Sequence, residues 1–452
     1  MTMVPLSRLL SLPPHPGRVV ALDQAGEVSF ERFRADVATN TARLAASGCR
    51  RGALVCRDSY WLAVGLFALL HAGVRPVMPS NLQLGSLKGL AVIVDCIVGD
   101  GDDATFRLEP AVGCAELLPP LDARAVGIEF FTSGSTGEPK PVNKPLLMLE
   151  REVAVLETEF GCGLGDAWIL ATVPHHHVYG LTFKVLWPLC AGRPFVRQTC
   201  EHWEAVAAEL PAGAVLVTSP SHLTRIAGMA PFPASRRPRL VLSAGAPLPT
   251  GAACEAATVL GVPITEIFGS SETGVIASRR CDGTERPWRN FPGVEVTIAD
   301  DRSLCVRSPF LAEDGWYVTG DVAEPTADSF RLLGRADRIV KIEGKRINLA
   351  DIERLLRAMP LIQAALVTML PGEPSVPGAV VVLTEAGRAE LSRLGAFRLG
   401  RVLRRALSSV GDVTAMPRRW RFPDRLPSDA MGKQRNADII ALFNPVAKPE
   451  AS

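Results

Sequence analysis

The chain has 452 residues, too many for one ordinary hydrophobic core, so two or more domains are expected. Hydrophobic residues make up 47% and charged residues 21%, the balance of a soluble globular protein. A net charge of +2 and a pI of about 8.1 exclude a strongly basic chain, and no basic block stands out as a nucleic-acid footprint.

The N-terminal stretch MTMVPLSRLLSLPPHPGRVV is broken by prolines and lacks the clean apolar run and cleavage site of a secretory signal. Ser29 to Ala46 predicts a helix opened by a Ser cap, with Phe30, Phe33, Val37 and Leu44 near one face. Trp61 to Gly73 predicts a buried helix ended by Gly73; its apolar run is too short to span a bilayer, so no membrane insertion is expected. Strand-length apolar runs follow at Leu90 to Ile97, Val126 to Phe131, Ile169 to Val173, Ala214 to Thr218 and Leu240 to Ser243. Helical segments lie between several of them, and this alternation predicts an α/β fold with mostly parallel sheets covered by helices.

From Gly293 the texture changes. VEVTIADDRSLCVRSP alternates about an acidic turn at Asp300 and Asp301, predicting a β subdomain. GRADRIVKIEGKRINLADIERLL then reads as strand, turn and helix, and Ala364 to Leu370 and Ala379 to Leu383 as two more strands. The four arginines between Arg398 and Arg405 read as a solvated helix face. The expected division is a large N-terminal domain, 1–333, a small α+β C-terminal domain, 334–445, and a disordered tail, 446–452. The ten cysteines are scattered singly with no CxxC pair, which predicts reduced, mostly buried thiols in a cytoplasmic protein, with neither a disulfide framework nor a zinc site.

The loop FTSGSTGEPKPVNK, Phe131 to Lys144, follows an apolar strand-like run and concentrates hydroxyls, glycines and lysine. Glycines let backbone amides turn inward, amides and hydroxyls hold phosphate oxygens, and Lys140 adds a point charge for a polyphosphate. The loop is not a Walker motif, because its lysine follows a proline and no Ser or Thr comes next. A flexible polar linker is the alternative reading.

Five further motifs follow in order: SAGAPLP from Ser243, EIFGSSETG from Glu266, WYVTGD ending at Asp321, GRADRIVKIEGKRI from Gly334 and LPSDAMGK ending at Lys433. With this ordered set the chain resembles the adenylate-forming superfamily of acyl-CoA and aryl-CoA synthetases, firefly-type luciferases and peptide-synthetase adenylation domains. The resemblance covers essentially the whole chain. It implies ATP and Mg²⁺ as cofactors, a small carboxylic acid as substrate, and CoA or the 4'-phosphopantetheine of an acyl carrier protein as acceptor.

The resemblance also implies roles. Thr132, Ser133, Gly134, Ser135, Thr136, Gly137 and Lys140 hold the ATP phosphates, with Thr136 counted among the catalytic residues. Glu272 binds Mg²⁺. Gly245, Ala246 and Pro247 line the adenine, Phe268 stacks on it where the family has Tyr, and Gly269, Ser270 and Ser271 complete that motif, Ser271 standing where Thr is usual. Asp321 and Arg335 take the ribose. Lys433 contacts the carboxylate and α-phosphate, Asp337 is the hinge between two domain orientations, and Gly344 faces the pantetheine arm.

The run His175-His176-His177 suggests a metal, but adjacent residues on a strand alternate faces and cannot easily converge on one ion. In the family this segment borders the acyl pocket, which marks His177, Tyr179 and Gly180 as substrate contacts. The chain is short for the family, with trimmed intervals between Gly73 and the glycine-rich loop and between Glu272 and Asp321, and no pantetheine attachment motif follows Lys433. Compact relatives that load aryl or medium-chain acids onto carrier proteins, as in aryl polyene pathways, suggest a carrier protein over free CoA. A non-catalytic sensor of acids or acyl-adenylates, and an adenylating enzyme with a non-thiol acceptor, are the competing functions.

Overall fold

The computed structural model describes residues 3–12, 17–23, 26–79, 82, 89–90, 92–114, 116–133, 139–282, 286–326, 329–342, 345–372, 375–408, 416–427 and 436–444. Among these, a nine-stranded sheet runs in the spatial order Arg289–Asn290, Gly274–Cys281, Ile264–Ser270, Leu240–Ala244, Val215–Thr218, Ile169–Ala171, Phe195–Thr199, Val19–Asp23 and Gly26–Ser29. Its middle is parallel: Val215 lies beside both Leu240 and Ile169, and Val241 beside Ile264. Alternate residues of these strands enter two different cores, Val215, Val217 and Leu242 on one face and Leu216 and Val241 on the other. Burial on both faces is why these strands read as continuous apolar runs.

A six-stranded sheet has the order Phe106–Arg107, Cys96–Gly99, Arg51–Val55, Arg75–Met78, Gly127–Ser133 and Pro139–Pro145. It is parallel except for its last pair, the antiparallel hairpin that carries the glycine-rich loop, with Thr132 opposite Lys140. Two helices pack against the sheets as their sequences predict. Phe30–Ala46 is capped by the Ser29 side chain, which accepts from Arg32 N at 3.2 Å. Ser59–His71 starts two residues before the predicted Trp61, because Asp58 accepts from Tyr60 N at 2.7 Å and caps it there. Phe33 joins the two helices, with its ring edge-on to Tyr60 and Phe67 at 6.0 Å each.

Beyond Gly293 a four-stranded antiparallel sheet forms from Glu295–Ile298, Ser303–Arg307, Tyr317–Pro325 and Phe330–Arg335. Its first turn holds Asp300 and Asp301 and closes on Arg302 in the left-handed region, φ +70°. The hairpin Ile339–Ile342 and Lys345–Asn348 leads into helix Leu349–Arg357. A three-stranded sheet, Ile362–Leu370, Val376–Leu383 and Arg419–Arg421, shares a separate core with helix Ala396–Ser408. In that helix Leu399, Leu403 and Leu407 face the core, and Arg398, Arg401 and Arg405 are exposed, as a solvated face requires.

The structure corrects two expectations. The strand expected over Leu90 to Ile97 is Cys96–Gly99 instead, while Leu90 packs in a small cluster with Ala53 and Val77; a short apolar run carries no periodicity that separates strand from other buried structure. The thiols are not all reduced: Cys49 and Cys96 form a disulfide with Cα atoms 6.4 Å apart. Parallel pairing of Gly52 with Cys96 brings them together across 47 residues, a proximity no local pattern reveals. Among the described residues, no helix is long and apolar enough to cross a membrane.

Phe67, fully buried against Phe33, is the test of this packing. Phe67→Ala is expected to cost about 3–5 kcal/mol, read as a lower midpoint in urea unfolding of the whole chain.

Candidate active site

Parallel strands end on the same edge of their sheet, and that edge is where open α/β sheets take ligands. Three of the singled-out motifs lie there: the histidine run after Ile169–Ala171, Gly245 to Pro247 after Leu240–Ala244, and Phe268 to Glu272 at the end of Ile264–Ser270.

Gly245, Ala246 and Pro247 form an exposed loop that Gly245 enters at φ +102°. One residue later Leu248 N donates to the buried Glu266 carboxylate at 3.0 Å. The other Glu266 oxygen accepts from Arg279 Nε at 2.6 Å and from the Cys281 thiol at 2.9 Å. Burial, then the Glu266 charge, pushes that thiol up to about 12. The Arg279 guanidinium lies over Trp288, 4.5 Å from its centroid, and Trp288 packs on Phe268 at 5.6 Å. One carboxylate thus holds the exposed loop and, through two rings, the aromatic face of Phe268.

Glu272 sits half-buried on a tight turn. Ser270 Oγ and Thr273 Oγ1 are 3.1 Å apart, Thr273 N donates to Ser270 Oγ at 3.1 Å, and Gly274 turns at φ +68°. Gly269 is obligatory, since a Cβ there would lie 2.3 Å from Gly274 O. Ser270 therefore serves the turn, while Ser271 and Glu272 are half-buried within it. Behind the turn Val275 N donates to Glu152 Oε1 at 3.0 Å, and Ser308 Oγ donates to Thr273 O at 3.3 Å.

Asp321 and Arg335 are register partners on adjacent strands, with Nη1 and Oδ2 3.9 Å apart. Gly320 leaves the room this needs, because a Cβ there would stand 2.6 Å from Arg335 Nη2. Arg335 also reaches Asp337 at 3.4 Å. Burial raises the Asp321 carboxyl above its ordinary value, and Arg335 works against that rise. Desolvation opposes the charge on Arg335, but Asp321, Asp337 and Glu272 together hold it above its ordinary value. Glu272 also acts electrostatically on Tyr317 and Lys144, so its turn and the Asp321–Arg335 pair share one region.

The histidines lie in a turn after Ile169–Ala171, not on a strand as the face argument assumed. His175 is committed to the fold: one nitrogen pairs with Cys56 O and the other with Ser59 Oγ, both at 2.8 Å. A carbonyl can only accept, so Nε2 carries the proton and Nδ1 accepts from the serine. His176 is buried with its ring 4.5 Å from that of His177, and among the described residues no group of three His, Cys, Asp or Glu is placed to hold a metal. Tyr179 donates its hydroxyl to Leu242 O at 2.9 Å, so only its ring is left for a ligand. Gly180 packs on backbone, where a Cβ would lie 2.0 Å from Pro174 O.

Gly134, Ser135, Thr136, Gly137, Gly344 and Lys433 lie outside the described residues. Thr132, Ser133 and Lys140 belong to the strands of the hairpin on either side of the loop. Sequence reasoning missed Glu266, Arg279, Lys144 and Glu152. An acid inside the apolar strand ITEIFGS was the one local signal for the first of these.

Burial pushes His175 and His176 down to about 3 from 6.5. Unfolding frees both to take protons below about 6.5. Their contribution to stability is therefore complete above that pH and lost as the pH falls toward 3, by about 1.4 kcal/mol per unit for each. His175→Asn is expected to flatten the fall in unfolding free energy between pH 6.5 and 5, measured by urea titration at each pH.

Residues 80–313, a little over half of the chain, match the family described as AMP-binding enzyme. The chain is similar to 4-coumarate–CoA ligase of Rhodobacter capsulatus, at 29% identity over 68% of this chain and 75% of that protein. It is similar to 2-succinylbenzoate–CoA ligase of Geobacillus kaustophilus, at 24% identity over 95% of this chain and 96% of that protein. Its fold matches that of ATP-bound MatB from Rhodopseudomonas palustris with a TM-score of 0.80 at 20% identity, covering 97% of this chain and 98% of that one. With three of its singled-out motifs gathered at the carboxyl edge of a parallel sheet and over half its length within one family, the chain belongs to the AMP-binding enzymes.

Proposed function

We propose that this enzyme activates a small carboxylic acid with ATP to an acyl-adenylate, then transfers the acyl group to the pantetheine thiol of CoA or of an acyl carrier protein. The Glu272 turn supports this reading most, since it carries a carboxylate in the same region as the Asp321–Arg335 pair and beside the anchored Gly245–Pro247 loop. In this reading adenine lies between that loop and Phe268, the ribose hydroxyls meet Asp321, and the triphosphate follows the loop between Thr132 and Lys140.

Among the described residues the site offers the carboxylates of Glu272 and of Asp321, the latter beside Arg335, and no three-residue cluster of metal ligands. That donor set fits Mg²⁺, which prefers one or two carboxylates together with substrate phosphates and water. When bound, the ion would neutralise charge on the phosphates, with Glu272 as its protein ligand.

Lys433 would orient the acid, whose oxygen attacks the α-phosphorus as the bond to the β-phosphate breaks and pyrophosphate leaves. The lysine charge would stabilise the crowded transition state. The C-terminal unit, from 334 to 445, would then turn about Asp337 and bring the pantetheine arm past Gly344. The thiolate sulfur attacks the acyl carbonyl and AMP departs with its phosphate oxygen. His177, Gly180 and the ring of Tyr179 would border the acid. With the Tyr179 hydroxyl committed to Leu242 O, the tyrosine favours flat aryl acids by ring contact rather than by a hydrogen bond.

Acid-dependent pyrophosphate exchange across benzoates, cinnamates and C6 to C12 fatty acids tests the substrate class, and turnover confined to saturated chains would sink the aryl reading. Lys433→Ala is expected to lower exchange with the best acid by about 10²–10³-fold; full exchange in that variant removes Lys433 from the mechanism. CoA, holo carrier protein and amines supplied separately identify the acceptor by its product.

A further inference from the structure

Two charged side chains with no role in the proposed chemistry are almost fully buried: Lys144 and Glu152, each 2% exposed. Lys144 grows from Pro139–Pro145, the return strand of the glycine-rich hairpin. Glu152 lies on the next helix, Leu146–Phe160. Desolvation lowers the Lys144 ammonium and raises the Glu152 carboxyl, and each is the other's largest opposing charge. Glu272 is the second negative charge acting on Lys144.

What these groups touch gives them direction. Glu152 Oε1 accepts from Val275 N at 3.0 Å, three residues past Glu272, and among the described residues its other oxygen has no hydrogen-bond partner. Lys144 Nζ donates to Phe310 O at 3.4 Å. Phe310 in turn presses on the Glu272 turn, since a Cβ on Gly274 would lie 2.9 Å from Phe310 Cβ and 3.2 Å from Glu152 Oε1. Ser308, two residues before Phe310, bonds Thr273 O. The turn that aims Glu272 is thus backed by Glu152 directly and by the Ser308 to Phe310 segment, which Lys144 holds.

Burying two charges costs several kcal/mol for each ion, and a buried pair seldom returns more stability than well-packed apolar residues of the same size. The return here is geometric. Through Lys144 the strand of the glycine-rich hairpin and the turn bearing Glu272 share one anchor.

We propose that Lys144 and Glu152 are positioning residues that fix the Glu272 turn against the return strand of the glycine-rich hairpin, so that Glu272 and the groups of that hairpin grip the same triphosphate. This deepens the ATP-dependent reading above and rests on it. AMP lacks the β- and γ-phosphates and needs only the adenine and ribose contacts, so the pair matters for MgATP and not for AMP. A merely structural role predicts no such split.

The test uses the full chain, with calorimetric titration of MgATP and of AMP and a thermal melt. Lys144→Met/Glu152→Met removes both anchors and leaves no unpaired buried charge. It is expected to melt near the wild type, to bind MgATP about tenfold more weakly and to bind AMP within about twofold. Lys144→Met/Glu152→Gln keeps an oxygen facing Val275 N. Should the Met/Met variant fail to fold, this second variant carries the test, with the same split expected. Unchanged MgATP affinity in the folded variant, or equal losses for MgATP and AMP, overturns the role of the pair. A wild-type chain that binds neither nucleotide overturns the ATP reading, and the pair's role with it.

Discussion

Parallel strands bury both faces, and strands Ile169–Ala171, Val215–Thr218, Leu240–Ala244 and Ile264–Ser270 do so here, sending alternate side chains into two cores. A strand covered on both sides has no lateral freedom, and its neighbours fix its register. All four end together, so the loops leaving them are brought to one edge whatever their own sequences prefer. The Gly245–Pro247 loop, the Glu272 turn and the histidine turn are separated in the chain and brought to one edge for this reason alone.

Loops at such an edge have little apolar surface to hold them, and buried charge does that work in this molecule. Glu266 fixes the Gly245–Pro247 loop through Leu248 N and holds Phe268 through Arg279 and Trp288. Arg51 pairs with Glu129 on the outgoing strand of the glycine-rich hairpin, at 3.2 Å through Nε. Lys144 and Glu152 back the Glu272 turn. In each case a charged group is bonded to main chain or to a second charge beneath a loop or turn. Desolvation makes each arrangement expensive to break on one side, which suits positions that must not drift.

Polar groups near the histidine turn behave differently. His175 has both nitrogens satisfied, Tyr179 has spent its hydroxyl, and burial keeps His175 and His176 neutral. The histidine turn therefore presents mostly rings rather than charges.

Local sequence determined the helix caps at Ser29 and Asp58, the apolar strands, the acidic turn before Arg302 and the ordered motifs that mark the family, because each depends on side chains within a few residues of one another. The motif EIFGSSETG announced a carboxylate at Glu272, but its spacing could not say that Glu266 and Glu152 hold the chain on either side of it. Nor could a local pattern pair Cys49 with Cys96, put His175 in a turn between Ser59 and Cys56, or commit the Tyr179 hydroxyl to Leu242. Those contacts join residues 47 to 119 positions apart. Only the stacking of strands into sheets decides such distances, since burial and register, not neighbouring residues, select which distant partner each polar group meets.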